Sequence, residues 1–181
     1  MNKVIDTISE RRSIRSFSEK PVSREDLELI IQCGRCAPNA WNHQSYILTA
    51  IQNKMIIRKL AEITQVYLGG PLEDYLFFRS SSIVIFSDTR ENGVRLANAG
   101  CVLENMFIAA QSLGIGSVWI NQFSTLTEKE SVINFFETLQ IPRDYCVCGI
   151  GAFGYADTFP EKRDIKSKVV YIMEDEYEPT H

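Results

Sequence analysis

No stretch of this chain is apolar for long enough to cross a bilayer. Its first residues, Met1 to Asp6, offer neither a long apolar core nor a small-residue cleavage site. We therefore expect no secretory signal, no membrane partner and a cytoplasmic protein. Strong charge is missing too. A net charge of −4 over 181 residues gives no electrostatic reason to expect nucleic acid. There is no internal repeat, no low-complexity segment and no linker, so residues 1–181 are expected to form one domain with a sizeable core. An even set of cysteines is also lacking. Five of them in a cytoplasmic chain argue against a disulfide framework. Cys33-Gly-Arg-Cys36 has the spacing of a redox pair or half a zinc site, but it closes a helical pattern and no strand precedes it. Cys146-Val-Cys148 has the wrong spacing for zinc fingers or ribbons. The expectation is small core thiols and no metal.

What the sequence does have is a basic cluster. Arg11-Arg12-Ser13-Ile14-Arg15-Ser16-Phe17 packs three guanidiniums and two hydroxyls into six residues. Guanidinium is a rigid fork of donors that matches a phosphate. A solvated basic helix end would look the same, because cations are favoured in a last helical turn. A second polar cluster, Asn39-Ala40-Trp41-Asn42-His43-Gln44, sets three amides and a histidine around one large aromatic. Amides donate and accept at once, which suits a heteroaromatic edge, yet they also form ordinary turns.

Around these clusters the periodicities are mixed. Val4, Ile5 and Ile8 predict an amphipathic helix over 2–11. Ser23 predicts an N-cap for a helix buried through Leu27, Ile30 and Ile31 and closed near Pro38. A strand over 46–51 and a helix over 53–64 follow. Residues 65–80, with Tyr67, Tyr75, Phe77 and Phe78 around Gly69-Gly70-Pro71, suggest a helical hairpin or a flap. A strand over 82–87 leads to a long helix over 92–113, apolar or small nearly all round from Ala99 to Ala110, which implies burial on several sides. Gly114 to Phe123 is a glycine-opened strand that turns polar. It is no dinucleotide fingerprint, since it follows a helix rather than opening one. Thr127 and Glu130 predict a capping box for the next helix. Strands over 145–153 and 168–173 complete an α+β fold with a mixed central sheet flanked by helices.

Four stretches together resemble the nitroreductase family of FMN-dependent oxidoreductases: the arginine heptad, Ala37 to Gln44, the long helix running into Gly114 to Ile120, and Phe153-Gly154-Tyr155 followed by Pro160-Glu161-Lys162-Arg163. The resemblance implies a nitroreductase-like homodimer with the long helix at its interface and two FMN sites between subunits. It implies that Arg11, Arg12, Ser13 and Arg15 hold the FMN phosphate and ribityl chain, and that Arg163 reaches the same phosphate. It implies that Asn39, Ala40, Asn42 and Gln44 come from the second subunit, and that Trp119, Ile120, Asn121 and Gln122 run along the flavin. Trp41, Tyr67 and Phe123 are expected at the substrate pocket. NADH or NADPH would be the donor, and a nitroaromatic or quinone the acceptor. Hydride transfer at flavin N5 needs no protein nucleophile, so no catalytic side chain is named. The alternatives are FMN-dependent dehydrogenation of an azoline or a flavin-derived substrate, and a metal-binding or sensor module using Cys33, Cys36, His43, Cys146 and Cys148. Three positions depart from the family pattern: Trp41, where relatives carry small residues; Asn121-Gln122, where they carry a glycine pair; and Ala156, where they carry proline.

Overall fold

The computed structural model describes residues 2–161 and 164–171. Its elements are α1 (Lys3–Glu10), α2 (Arg24–Arg35), β1 (Ile47–Ile51), α3 (Lys54–Leu68), β2 (Ser82–Thr89), α4 (Arg95–Ser112), β3 (Gly116–Ile120), α5 (Glu130–Thr138) and β4 (Tyr145–Gly154). The α+β class is as expected. The four strands run in the order β1-β2-β4-β3, and every pair is antiparallel. The parallel component of the expected mixed sheet reduces, among the described residues, to one bridge between Ser13 and Ser117.

Alternation along the strands sends side chains to two cores. Ile83, Ile85, Val118, Ile120 and Ile150 meet Leu60 and Ala61 of α3 and Val132 and Phe136 of α5. Val84, Phe86, Cys148 and Phe153 meet Leu103, Met106 and Phe107 of α4. The register of β2 against β4 slips between Phe86 and Ser87, where Cys148 has no opposite partner. That extra residue is a β-bulge.

Local chemistry explains most boundaries. Ser23 caps α2 by accepting from the Asp26 N–H at 3.0 Å. Asn53 caps α3 through the N–H groups of Met55 and Ile56. Gly114, at φ +72, ends the chain's longest helix, and the Ile115 N–H returns to the Ala110 carbonyl at 2.9 Å.

Several expectations need correction. The capping box does not form: Lys129 is the N-cap of α5 without a side-chain bond, and Glu130 pairs with Arg143 instead. Residues 65–80 are no helical hairpin. α3 runs on to Leu68, stops at Gly69 with φ +73, and gives way to two 3-10 turns, Leu72–Tyr75 and Phe77–Arg79. No strand forms over 168–171; the rest of that expected strand lies outside the described residues. The amphipathic helix expected over 2–11 does form, as α1, and its apolar residues Val4, Ile5 and Ile8 are 62%, 55% and 51% exposed.

Candidate functional site

The arginine heptad begins where α1 ends. The Arg12 guanidinium turns back and donates to the carbonyls of Ser9 at 2.8 Å and Arg11 at 2.7 Å. It satisfies helix-end carbonyls with a cation, as a basic helix end should. Arg11 Nε pairs with Glu104 of α4 at 3.0 Å. Beyond them the chain is extended. Ile14 and Phe17 insert into the core, while Arg15 stays exposed. The Ile14 N–H donates to the Ser117 carbonyl at 3.0 Å, and the Ser18 N–H to that of Tyr155 at 2.9 Å. Two glycines make room for this docking. A Cβ at Gly116 would stand 2.7 Å from Ile14 Cγ1, and one at Gly154 would stand 2.8 Å from Phe17 Cδ1.

The result is a cleft of about 610 Å³ whose wall includes Arg11, Arg12, Ser13 and Arg15, faced by Pro160, Glu161 and Ile165. Arg12 and Arg15 form no ion pair among the described residues. Glu104 and Glu161 offset part of the charge of three guanidiniums, so the cleft keeps a cationic excess and donors in fixed positions. That donor set suits an anion with several oxygens. Arg163, expected at the same anion, lies outside the described residues.

The amide loop is built differently. Its flanks are pinned: Ala37 is buried, and Ser45 donates to the buried Asp88 carboxylate at 2.7 Å. Between them, residues 39–44 bury no side chain. The Ala40 N–H donates to Asn98 Oδ1 of α4 at 3.1 Å, the Gln44 N–H to Asn39 Oδ1 at 3.0 Å, and Gln44 Nε2 to Asn42 Oδ1 at 2.9 Å. Trp41, Asn42 and Gln44 take φ of +52°, +55° and +49°. Left-handed backbone is ordinary for asparagine and unusual for tryptophan. Trp41 is 79% exposed, with its ring centroid 5.8 Å from that of His43. None of residues 39–44 is among those lining the arginine cleft of the same protomer.

In the segment that leaves β3 most side chains are engaged within the protomer. The Trp119 indole lies over Gly149, and Ile120 is buried on the opposite face of the sheet. Asn121 is exposed, but its Oδ1 already accepts from Trp119 Nε1 at 3.3 Å. Gln122 opens a 3-10 turn. Phe123 does not sit on an open face. It is 1% exposed, stacked near Phe77 and edge-on to Phe136, because the turn after β3 rotates its ring into the core. Tyr67 is partly exposed, bonded to Ser131 and beneath Lys129.

The cysteines do not assemble a metal module. Cys33, Cys36 and Cys101 are exposed, contrary to the expectation of core thiols, whereas Cys146 and Cys148 are buried in β4. No three metal-ligating side chains converge among the described residues. Cys148 Sγ donates to the Cys146 carbonyl at 3.6 Å, and the neighbouring thiols are driven apart: Cys146 is held down to about 6 by Cys148 and by Arg95 and Arg90, and Cys148 is pushed above the usual thiol range by Cys146 and by burial.

Two residues the sequence reading passed over position the site. Asn98 is a buried polar residue on the apolar side of α4, and Glu104 is an acid on its open side. A polar interruption within an otherwise small and apolar helix was the available signal.

The model of the Nitroreductase family matches residues 8–68 and 69–155. The crystal structure of a nitroreductase with bound FMN from Bacteroides fragilis superposes with a TM-score of 0.88 at 28% identity, covering 96% of this chain and all of that one. The NADPH-flavin oxidoreductase of Vibrio harveyi is 26% identical over 98% of this chain and 76% of its own. The FMN reductase [NAD(P)H] of Bacillus subtilis is 32% identical over 65% of this chain and 53% of its own length. Among the described residues, no helix is long and apolar enough to cross a membrane.

Proposed function

This chain belongs to the nitroreductase family, and from that premise we propose that it is an FMN-dependent NAD(P)H oxidoreductase acting, as one domain over residues 1–181, on a small electron-poor acceptor such as a nitroaromatic or quinone. The observation that carries the reading is the arginine cleft. Its donors are fixed by a segment docked into the core, and its cationic excess fits a phosphate monoester. Bound FMN supplies the hydride chemistry. Arg11, Arg12, Ser13 and Arg15 bind and orient its phosphate end, and Arg163 belongs to the same set by sequence.

A second protomer completes the site in this proposal. The exposed stripe of Val4, Ile5 and Ile8 on α1, with Leu96 and Cys101 on the open side of α4, is apolar surface that water does not favour. Pairing two copies along α1 and α4 would cover it. The partner would then supply Asn39, Ala40, Asn42 and Gln44, of which Asn42 and Gln44 are exposed and Asn39 and Ala40 half-buried in the single protomer. Trp119 to Gln122 would contribute mainly backbone groups along the ring. Trp41, the most exposed aromatic of the three pocket candidates, would face the acceptor, with Tyr67 beside it.

The test is direct. The purified protein should be yellow or take up added FMN and oxidise NADH or NADPH with a quinone acceptor. Arg12→Ala should weaken FMN binding by about tenfold or more, the loss of one charged hydrogen-bond partner, on the order of 2 kcal/mol. A colourless protein that ignores FMN would end the proposal.

A further inference from the structure

Immediately after the heptad the chain enters a second cleft, of about 560 Å³, and no residue is shared between the two linings. Its cations come from two elements. Lys54 and Arg58 stand at the start of α3, and Arg79 belongs to the 3-10 turn before β2. Lys54 and Arg79 are exposed and form no ion pair among the described residues, while Arg58 pairs with Glu62 at 3.2 Å. Two carboxylates, Glu19 and Asp157, share the wall. With Glu62 drawing off the charge of Arg58, Lys54 and Arg79 are left to balance these two carboxylates, and the positive end of the α3 dipole tips the field toward an anion.

The second observation is a hydroxyl. Ser80, Ser81 and Ser82 follow one another at the start of β2. Ser81 Oγ accepts from the Val22 N–H at 3.0 Å, and Ser82 Oγ accepts from Gln52 Nε2 at 3.0 Å. Ser80 is only 7% exposed, lines the cleft, and its Oγ has no partner among the described residues. Buried polar groups without partners are few, and each calls for an explanation, a bound ion among them. The turn before it is strained as well: Phe77, Phe78 and Arg79 take φ of +51°, +55° and +62°, and none is glycine. Strain of this kind collects at ligand clamps.

We infer that this cleft is a separate site for a phosphate-class anion, with Lys54 and Arg79 supplying charge and Ser80 the buried donor. The anion is free phosphate or the phosphomonoester of a nucleotide; both present the same oxygens. Because no residue is shared with the heptad cleft, the two sites fail independently.

The experiment is a titration of the FMN-equilibrated protein with inorganic phosphate, read by calorimetry and by phosphorus NMR. One saturable site per chain is expected in addition to FMN. The Lys54→Gln, Arg79→Gln double variant should weaken phosphate about tenfold while taking up FMN as the parent does. Ser80→Ala should weaken it less, and Asp157→Asn should tighten it. Repeating the titration with adenosine 2′-monophosphate separates the sources: tighter binding than phosphate assigns a nucleotide, and phosphate binding alone assigns the free ion. Arg12→Ala should leave this binding unchanged. The inference is overturned if phosphate does not saturate, if the double variant binds as the parent does, or if Arg12→Ala removes the binding, which would put the anion in the heptad cleft.

Discussion

The arginine heptad and the amide loop are both polar, of similar length and rich in hydrogen-bonding groups, yet the fold treats them in opposite ways. The heptad is sewn into the core by Ile14 and Phe17 and tied to β3 by backbone hydrogen bonds. The loop is pinned at its ends and held in the middle chiefly by Asn98, with three non-glycine residues in left-handed backbone. One is a preformed binding wall within the protomer. The other is presented outward, where its side chains find few partners of their own chain. Such a division suits a site whose halves come from two subunits: the rigid half takes the charged end of a ligand, and the projecting half reaches across.

The comparison makes the heptad more costly to disturb than the loop. Gly116→Ala puts a Cβ 2.7 Å from Ile14 Cγ1 and 3.2 Å from the Gly154 carbonyl oxygen, so strand and heptad must separate. We expect a loss of about 3 kcal/mol in denaturant unfolding, the upper range for overpacking, with loss of FMN uptake. Parent-like stability would mean that the heptad is not docked as described. Asn98→Ala should cost about 1 kcal/mol by removing the Ala40 N–H partner. Amide exchange should rise in residues 39–44 and stay unchanged in residues 13–18; equal loosening of both segments would erase the distinction. Trp41→Gly should have the smallest effect and the opposite sign. Relief of the left-handed tryptophan stabilises the chain by up to about 1 kcal/mol, while turnover of bulky acceptors changes. A clear destabilisation would show that the exposed ring packs on something within the protomer.

Much of this was legible in sequence because short-range chemistry fixed it. Ser23 capped α2, Gly114 ended α4, and the heptad sat where a helical period stopped. The four ordered stretches carried the family. The misses have physical causes. Thr127 and Glu130 had capping spacing, but Arg143 competes for the Glu130 carboxylate. Phe123 sat in a strand that turned polar, and a 3-10 turn rotated it into the core. The second cleft is not legible in the sequence because Lys54, Arg79 and Ser80 are spread along the chain and meet only in the fold.

The most direct test is a mixed dimer. One chain carries Arg12→Ala, the other carries Asn42→Ala with Gln44→Ala, and the heterodimer is isolated with two different tags. If each site joins the heptad of one chain to the loop of the other, one site inherits both defects and the other inherits none, so half of the FMN binds with parental affinity. If instead every site is impaired and no parental half appears, the heptad and the loop serve the same protomer's site, and the account is wrong.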